Sequence, residues 1–306
     1  MFGSHLSIAG CMAGALRRAE ALRLDCVQVF TKNQQQWRVA PLRTEAVEEW
    51  RAEARRLGWD AGAPRTVAHA SYLINLASGD DNLWRLSVDL MVEEVERCER
   101  LGIPLLVHHP GAHKGGTREA GLLRIAEAYR EILGRTAGYR TVLCLENTVG
   151  CGTILGREFE ELAGLRGFIA ERTGAEGRVG YCFDTCHAHA GGHDLSSRAA
   201  AEATLARLGR VCGFEHVRVL HLNDSKGTLG SRLDRHEHVG KGTIGPEGFA
   251  AVVNHPAFRD RPKIMETPKG TTPAGVDLDT LNLRRLRRLV EAGGATVRPR
   301  KLAVPA

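Results

Sequence analysis

TVLCLEN, residues 141–147, sets five apolar or β-branched positions in one short run and then stops on a carboxylate and an amide. A run of that length, apolar without alternation, suits a strand covered on both faces, as in a parallel sheet. Upstream lies REAGLLRIAEAYREILG (118–134), whose apolar residues recur at three- and four-residue spacing, as on one face of a helix. The same pairing repeats in both directions. Further strand candidates are HLSIA (5–9), CVQVF (26–30), TVAHA (66–70), LLVHH (105–109), VGYCF (179–183), VRVLHL (217–222) and KIME (263–266). Helical patterns between them include MAGALRRAEALRL (12–24), LRTEAVEEWRAEARRLG (42–58) and LWRLSVDLMVEEVERCERLG (83–102). Strand and helix alternating eight times between His5 and Glu266 predict an α/β chain folded as a single (β/α)8 TIM barrel with long loops at its C-terminal mouth. An open doubly wound sheet is the competitor, but no GxGxxG follows the first strand candidate. One domain over 1–291 is expected, followed by a basic, proline-containing segment, 292–306, expected to be flexible.

Composition agrees with a soluble globular chain: of 306 residues, 43% are hydrophobic and 25% charged. Lys and Arg outnumber Asp and Glu by 42 to 36, an excess compatible with a polyanionic partner but not diagnostic of one. No apolar run approaches the roughly 18 residues of a membrane span. The start, MFGSHLSIAGCMAG, lacks the charged opening and long apolar middle of a secretory leader, so a cytoplasmic location is expected. The eight cysteines include no CxxC pair, and Cys26 and Cys144 sit inside apolar runs, so neither a disulfide framework nor a cysteine-rich zinc site is expected.

The strand candidates share a second property. The third carries His69, the fourth His108 and His109, the fifth Glu146; Asp184 follows the sixth, with His187 one turn on, and the last two deliver His221 and Glu266. In a barrel these ends converge on one mouth, where barrel active sites are built. Taken singly, each has a plainer reading. A strand-end histidine is more often structural than a ligand, and a lone carboxylate such as Asp184 can cap the next helix. Together, so many imidazoles and carboxylates would be left repelling or unpaired without cations. His108 and His109 point opposite ways in an extended strand, so only one faces the mouth.

The polar stretch HLNDSKGTLGSRLDRHEHVGKGTIG (221–245) adds to the set. Asp234 and His236, two residues apart, can join His187 in a further three-ligand site, which makes the stretch a metal-binding lid. His189, His193, Glu237 and His238 fall outside that arrangement, and Glu237 and His238 are expected to be solvated.

The chain closely resembles the endonuclease IV family, the zinc-dependent apurinic/apyrimidinic endonucleases of base excision repair. The resemblance runs nearly end to end through FTKNQQQWR (30–38), HASYLINLAS (69–78), HHPGAHKG (108–115), LENTVG (145–150), FDTCHAHAGGHDL (183–195), the stretch 221–245 and METPKG (265–270). It implies a TIM barrel holding three zinc ions, with manganese acceptable at one site. The implied ligands are His69, His109 and a bridging Glu146 for the first ion; Glu146, Asp184, His221 and Glu266 for the second; and His187, Asp234 and His236 for the third.

The activity implied is hydrolysis of the phosphodiester 5′ of an abasic site in duplex DNA, leaving a 3′-hydroxyl and a 5′-deoxyribose phosphate, with trimming of blocked 3′ ends. Glu146 and Glu266 are the implied catalytic carboxylates, Glu266 as a proton acceptor besides its ligand role. Tyr72 and Leu73 offer an aromatic and an apolar wedge for the duplex. Gln35, Trp37 and Arg38 belong to a DNA-facing loop, with Gln35 standing where relatives can carry arginine. Lys32, Lys226, Arg232 and Arg235 are candidates for phosphate contact. A monomer is expected. Two rivals remain at this point. A xylose-isomerase-like sugar isomerase or epimerase would use His109, Glu146, Asp184, His221 and Glu266 but leaves the lid without a purpose. A DNA-damage-binding module with structural zinc would favour closed sites.

Overall fold

The computed structural model describes residues 1–38 and 40–290. Segment 292–306 lies outside the described residues. In chain order the elements are β1 (Phe2–His5), α1 (Met12–Ala21), β2 (Cys26–Phe30), α2 (Thr44–Arg56), β3 (Thr66–His69), α3 (Asp81–Leu101), β4 (Leu105–His108), α4 (Arg118–Arg135), β5 (Val142–Glu146) and α5 (Phe159–Thr173). They continue as β6 (Val179–Asp184), α6 (Thr185–Gly191), α7 (Arg198–Cys212), β7 (Val217–His221), β8 (Asp224–Ser225), β9 (His236–Glu237), α8 (Gly245–Asn254), β10 (Lys263–Met265) and α9 (Leu278–Leu289). Eight strands close a parallel barrel in the order β1-β10-β7-β6-β5-β4-β3-β2, while β8 and β9 form a separate antiparallel pair. This is the single TIM barrel expected from the sequence.

The first strand differs from expectation. It occupies Phe2–His5, so HLSIA is not a strand and His5 ends β1 rather than starting it. The register explains why: Gly3, Ser4 and His5 pair with Cys26, Val27 and Gln28 of β2. A Cβ on Gly3 would meet the carbonyl oxygen of Cys26 at 2.3 Å, so only glycine fits there. A strand of FGSH has too little apolar content to stand out from its flank by pattern alone.

Alternation along each strand sets what faces inward. Cys26, Val67, Leu105, Val107, Val142, Cys144, Cys182, Val219 and Ile264 fill the barrel interior as one small-residue cluster. Their outward neighbours, such as Leu106, Leu143, Leu145, Tyr181 and Phe183, join the larger core between barrel and helices. Advancing two residues from the interior set reaches His69, His109, Glu146, Asp184, His221 and Glu266. One periodicity therefore places apolar residues in the barrel and polar ones at its mouth. The helices are seated by ordinary signals. The Asp80 side chain caps α3, accepting from Leu83 N at 3.0 Å, and Gly102 ends that helix with φ 76. Thr117, Ser197 and Asp277 likewise cap α4, α7 and α9.

Candidate metal centre

Glu146, fully buried at the end of β5, stands at the centre. Its Oε2 lies 3.3 Å from His69 Nε2 and 3.5 Å from His109 Nε2, and its Oε1 lies 3.0 Å from His221 Nδ1 and 3.2 Å from His187 Nδ1. One carboxylate thus addresses histidines on two sides. His221 Nδ1 is also 3.2 Å from Glu266 Oε2 and 3.8 Å from Asp184 Oδ2. His187 Nε2 and His236 Nε2 converge on Asp234 Oδ1 at 3.3 and 3.4 Å. The donors fall into three groups, His69/His109/Glu146, Glu146/Asp184/His221/Glu266 and His187/Asp234/His236, with ligating atoms within 4.8 Å of one another in each.

The outer nitrogens test whether cations fit. His69 Nδ1 donates to Ala70 O (2.8 Å), His187 Nδ1 to Asn147 O (3.0 Å), His221 Nε2 to Gln28 Oε1 (2.8 Å) and His236 Nδ1 to Glu266 O (3.2 Å). Each imidazole spends one N–H on a fixed protein acceptor, as metal-ligating histidines do, and that orients the ring. His69, His221 and His236 are thereby left with a second nitrogen whose lone pair faces carboxylate oxygen. Lone pair against lone pair is repulsive without a proton or a cation between them. Among the described residues, buried His236 Nε2 has no hydrogen-bond partner. The donor set therefore fits divalent metal.

Titration behaviour without a cation reflects the same crowding. Burial opposes charge on His221, but Glu266 and Glu146 outweigh it and push its pKa up to about 9. His187 is held well above its usual range, where Asp184, Asp234 and Glu146 overcome its burial. Asp234, despite its own desolvation, is drawn down to about 2 by His187 and His236. Cys182 and Cys186 also approach the cluster. Burial pushes Cys186 up to about 12 and Cys182 well above the thiol range, so both are neutral thiols when no cation is bound.

Comparison with known proteins agrees with this geometry. Residues 16–287 match the family described as a xylose isomerase-like TIM barrel. A probable endonuclease 4 of Chloroflexus aggregans is 44% identical over 96% of this chain and 99% of its own. A probable endonuclease 4 of Geobacter sulfurreducens is 41% identical over 94% of each. The crystal structure of endonuclease IV from Thermus thermophilus superposes with a TM-score of 0.80 at 40% identity, covering 94% of this chain and 98% of that one. The chain belongs to the endonuclease IV family. A D-tagatose 3-epimerase-like protein has the same fold at 18% identity and a TM-score of 0.69, which speaks to the barrel alone.

In this endonuclease IV family member, several groups around the cluster were missed by reading strand ends. Gln28, fully buried on β2, donates to Glu266 Oε1 at 2.7 Å while accepting from His221. Its amide also lies 3.0 Å from His5 Nδ1. Asn223 donates to Asp184 Oδ2 at 2.7 Å and accepts from Glu266 N at 2.7 Å. Asp184 does cap α6, its Oδ1 accepting from His187 N at 2.7 Å, while its Oδ2 faces the cluster 3.8 Å from His221 Nδ1. Gln28 and His5 are register partners on β2 and β1; inward alternation along CVQVF was a signal for Gln28 alone, since β1 itself is not marked by its apolar pattern.

His108 points away, bonding Tyr129 of α4 at 2.6 Å, so the mouth receives His109. His193 stacks on Phe159 at 4.1 Å, and His189 accepts from Leu195 N, which makes both structural. His238 is not simply solvated: its Nδ1 lies 3.0 Å from the Asn282 amide.

The lid is a loop closed at its base by the β8–β9 pair. Its tip rests on the end of α6, with Gly230 N donating to His189 O and Arg232 N to Ala190 O. Lys226, Arg232 and Arg235 are exposed along it, beside the exposed Leu229 and Leu233. Tyr72 is 59% exposed, with its ring 5.3 Å from that of His69 and 5.9 Å from that of His109. Gln35 and Arg38 are exposed, whereas Trp37 and Leu73 pack partly against the core. Lys32 is a correction. Its side chain is buried 3.6 Å from Glu94, so it does not face the solvent side where DNA would lie.

Proposed function

We propose that this chain is a metal-dependent DNA repair endonuclease that hydrolyses the phosphodiester 5′ of an abasic site, leaving a 3′-hydroxyl and a 5′-deoxyribose phosphate, and that trims blocked 3′ ends. The observation that carries the reading is Glu146, whose two oxygens address separate histidine groups, with a third donor group formed by His187 of α6 and Asp234 and His236 of the lid. Three zinc ions are assigned to His69, His109 and Glu146; to Glu146, Asp184, His221 and Glu266; and to His187, Asp234 and His236. When bound, such ions supply Lewis-acid charge that activates water near neutral pH and neutralises phosphate oxygens.

The chain's own residues do the rest. Gln28 donates to Oε1 of Glu266 and leaves Oε2 turned to the cluster, so Oε2 would be the ligand oxygen and Oε1 would be the one available to accept a proton. Tyr72, and behind it Leu73, meet the duplex as a wedge, while Gln35, Trp37 and Arg38 approach from the adjacent loop. A nucleotide without its base has lost most of its stacking, so extruding it costs little, and this favours damaged over intact DNA. Lys226, Arg232 and Arg235 would hold phosphates, making binding steeply salt-dependent. A cavity of about 1120 Å³ beside Glu266, lined by His5, Phe30 and Tyr72, gives the strand room to enter.

The experiment is elemental analysis together with strand nicking on abasic and intact duplexes. About three zinc ions per chain, falling to about two in His236→Ala, are expected, with nicking confined to the abasic duplex. One or two ions unaffected by that substitution, with turnover of a ketose sugar, would move the assignment to an epimerase on the same barrel.

A further inference from the structure

The two loops that carry the proposed DNA-facing side chains, 31–38 after β2 and 70–76 after β3, contain no regular secondary structure. Their shape is fixed from beneath. Glu94, on the inner face of α3 and 1% exposed, accepts from Thr31 Oγ1 at 2.5 Å through Oε2 and from Ser71 N at 3.2 Å through Oε1. The Lys32 ammonium lies 3.6 Å from Glu94 Oε1 and donates to Gln36 O at 3.2 Å and Asn33 O at 3.5 Å. The Ser71 hydroxyl crosses between the loops, donating to Gln34 O at 2.6 Å and accepting from Leu73 N at 3.3 Å. Arg97, one turn along α3, donates twice to Thr31 O, at 2.8 and 3.1 Å. Every one of these bonds ends on a loop backbone atom or on a residue at the loop's root.

We infer that the buried Lys32–Glu94 pair, with Ser71, is a positioning clamp that makes the Gln35–Arg38 loop and the Tyr72–Leu73 loop move as one body when DNA is engaged. The inference rests on the proposed reading that these loops meet DNA. A buried ion pair is a poor device for raw stability, since hydrophobic residues of like volume often serve as well. Its use is geometric. Glu94 accepts from a residue of each loop and Lys32 donates to two carbonyls of the first, so removing the pair frees both loops together. The clamp bonds no proposed metal ligand directly, but Ser71 N shares a peptide unit with Ala70 O, which accepts from His69 Nδ1, so metal content is measured on each variant alongside the readouts below. The sequence pattern puts Lys32 outside on DNA, whereas its function is to hold the side chains that go there.

Glu94→Gln keeps the shape but removes the charge opposite Lys32. The first readout is amide hydrogen exchange on the zinc-loaded protein without DNA. Exchange in 31–38 and 70–76 is expected to rise together by about tenfold or more, while the barrel strands keep their protection. The second is cleavage of an abasic duplex, where KM is expected to rise about tenfold with kcat within about threefold. Ser71→Ala, which cuts only the crossing between loops, should loosen both segments to a smaller degree and serves if Glu94→Gln fails to fold. Loosening of one segment alone, or of neither, overturns the clamp. Uniform loss of protection across the barrel with an even fall in kcat also overturns it, by making Glu94 an ordinary structural residue. Coupled loosening with unchanged KM leaves the clamp standing and instead sinks the reading that these loops engage DNA.

Discussion

The side-chain oxygen of Gln28 lies 2.8 Å from Nε2 of His221, and this contact decides which imidazole nitrogen faces Glu146, Glu266 and Asp184. Because the same amide donates to Glu266 Oε1, one neutral residue orients two proposed ligands of one ion. Gln28→Leu removes both contacts at similar volume. Zinc affinity at the Glu146/Asp184/His221/Glu266 site should fall by about 10–100-fold, the usual cost of losing such an orienting partner. Competition against a chelator, counting ions retained per chain, measures this. Full retention of all ions at equal chelator strength would remove Gln28 from the site.

The crowded histidines make the metal-free protein behave differently with pH from the loaded one. Burial disfavours the His221 cation, but Glu266 and Glu146 prevail, so the folded value is raised to about 9, against about 6.5 for an unfolded histidine. Stability from that charged pairing is present in full below about 6.5 and is lost as pH climbs through about 9. The melting temperature of chelator-treated protein should therefore decline across that window. The loaded protein should not decline, because metal replaces the proton. Metal uptake at neutral pH should release protons into an unbuffered solution, measurable by titration. A flat melting profile for the stripped protein would contradict this account.

Tyr72 is exposed beside the rings of His69 and His109, and the proposed function has it stack on the DNA. Tyr72→Ala should weaken binding to an abasic duplex by about 10–100-fold, as expected from losing one stacking platform. Metal content should stay unchanged, since its ring adds contact to His69 and His109 but no donor to the proposed sites. Fluorescence anisotropy with a labelled duplex, in parallel with zinc analysis, separates the two. A loss of zinc in this variant would mean that the ring supports the cluster rather than the DNA.

Much of this was legible in the sequence because two periodicities coincide. Short apolar runs marked seven of the eight barrel strands, and their last inward positions carried His69, His109, Glu146, Asp184, His221 and Glu266. Asp234 and His236 were legible because a polar loop needs no such side chains for packing. The failures have physical causes too. FGSH is held as β1 by close approach of Gly3 to β2, which no apolar pattern records. Gln28 is one amide inside CVQVF and looks like an interruption until the barrel closes and its two neighbours appear. Lys32 reads as a surface cation, and only α3 crossing beneath the loop supplies Glu94 and buries both.

Asp224 sets where the lid starts. Its fully buried carboxylate accepts from Ser225 N at 2.9 Å, Ile244 N at 3.0 Å and Gly242 N at 3.0 Å, fastening the two ends of the 226–241 stretch together. A Cβ on Gly242 would meet Ser225 O at 2.2 Å, so the two ends are already in backbone contact. Asp234 and His236 hang from this closure, and their distance from His187 depends on it. Asp224→Asn keeps one acceptor oxygen and turns the other into a donor facing a backbone N–H. Hydrogen bonds to a buried charged group are worth about 1.5–3 kcal/mol each, so a loss of about 2–3 kcal/mol in chemical denaturation is expected. The ion proposed at His187, Asp234 and His236 should be the one released first by chelator, with any ions at the other two proposed sites retained. If all three leave together, the lid is not an independent unit and Asp224 acts on the whole mouth.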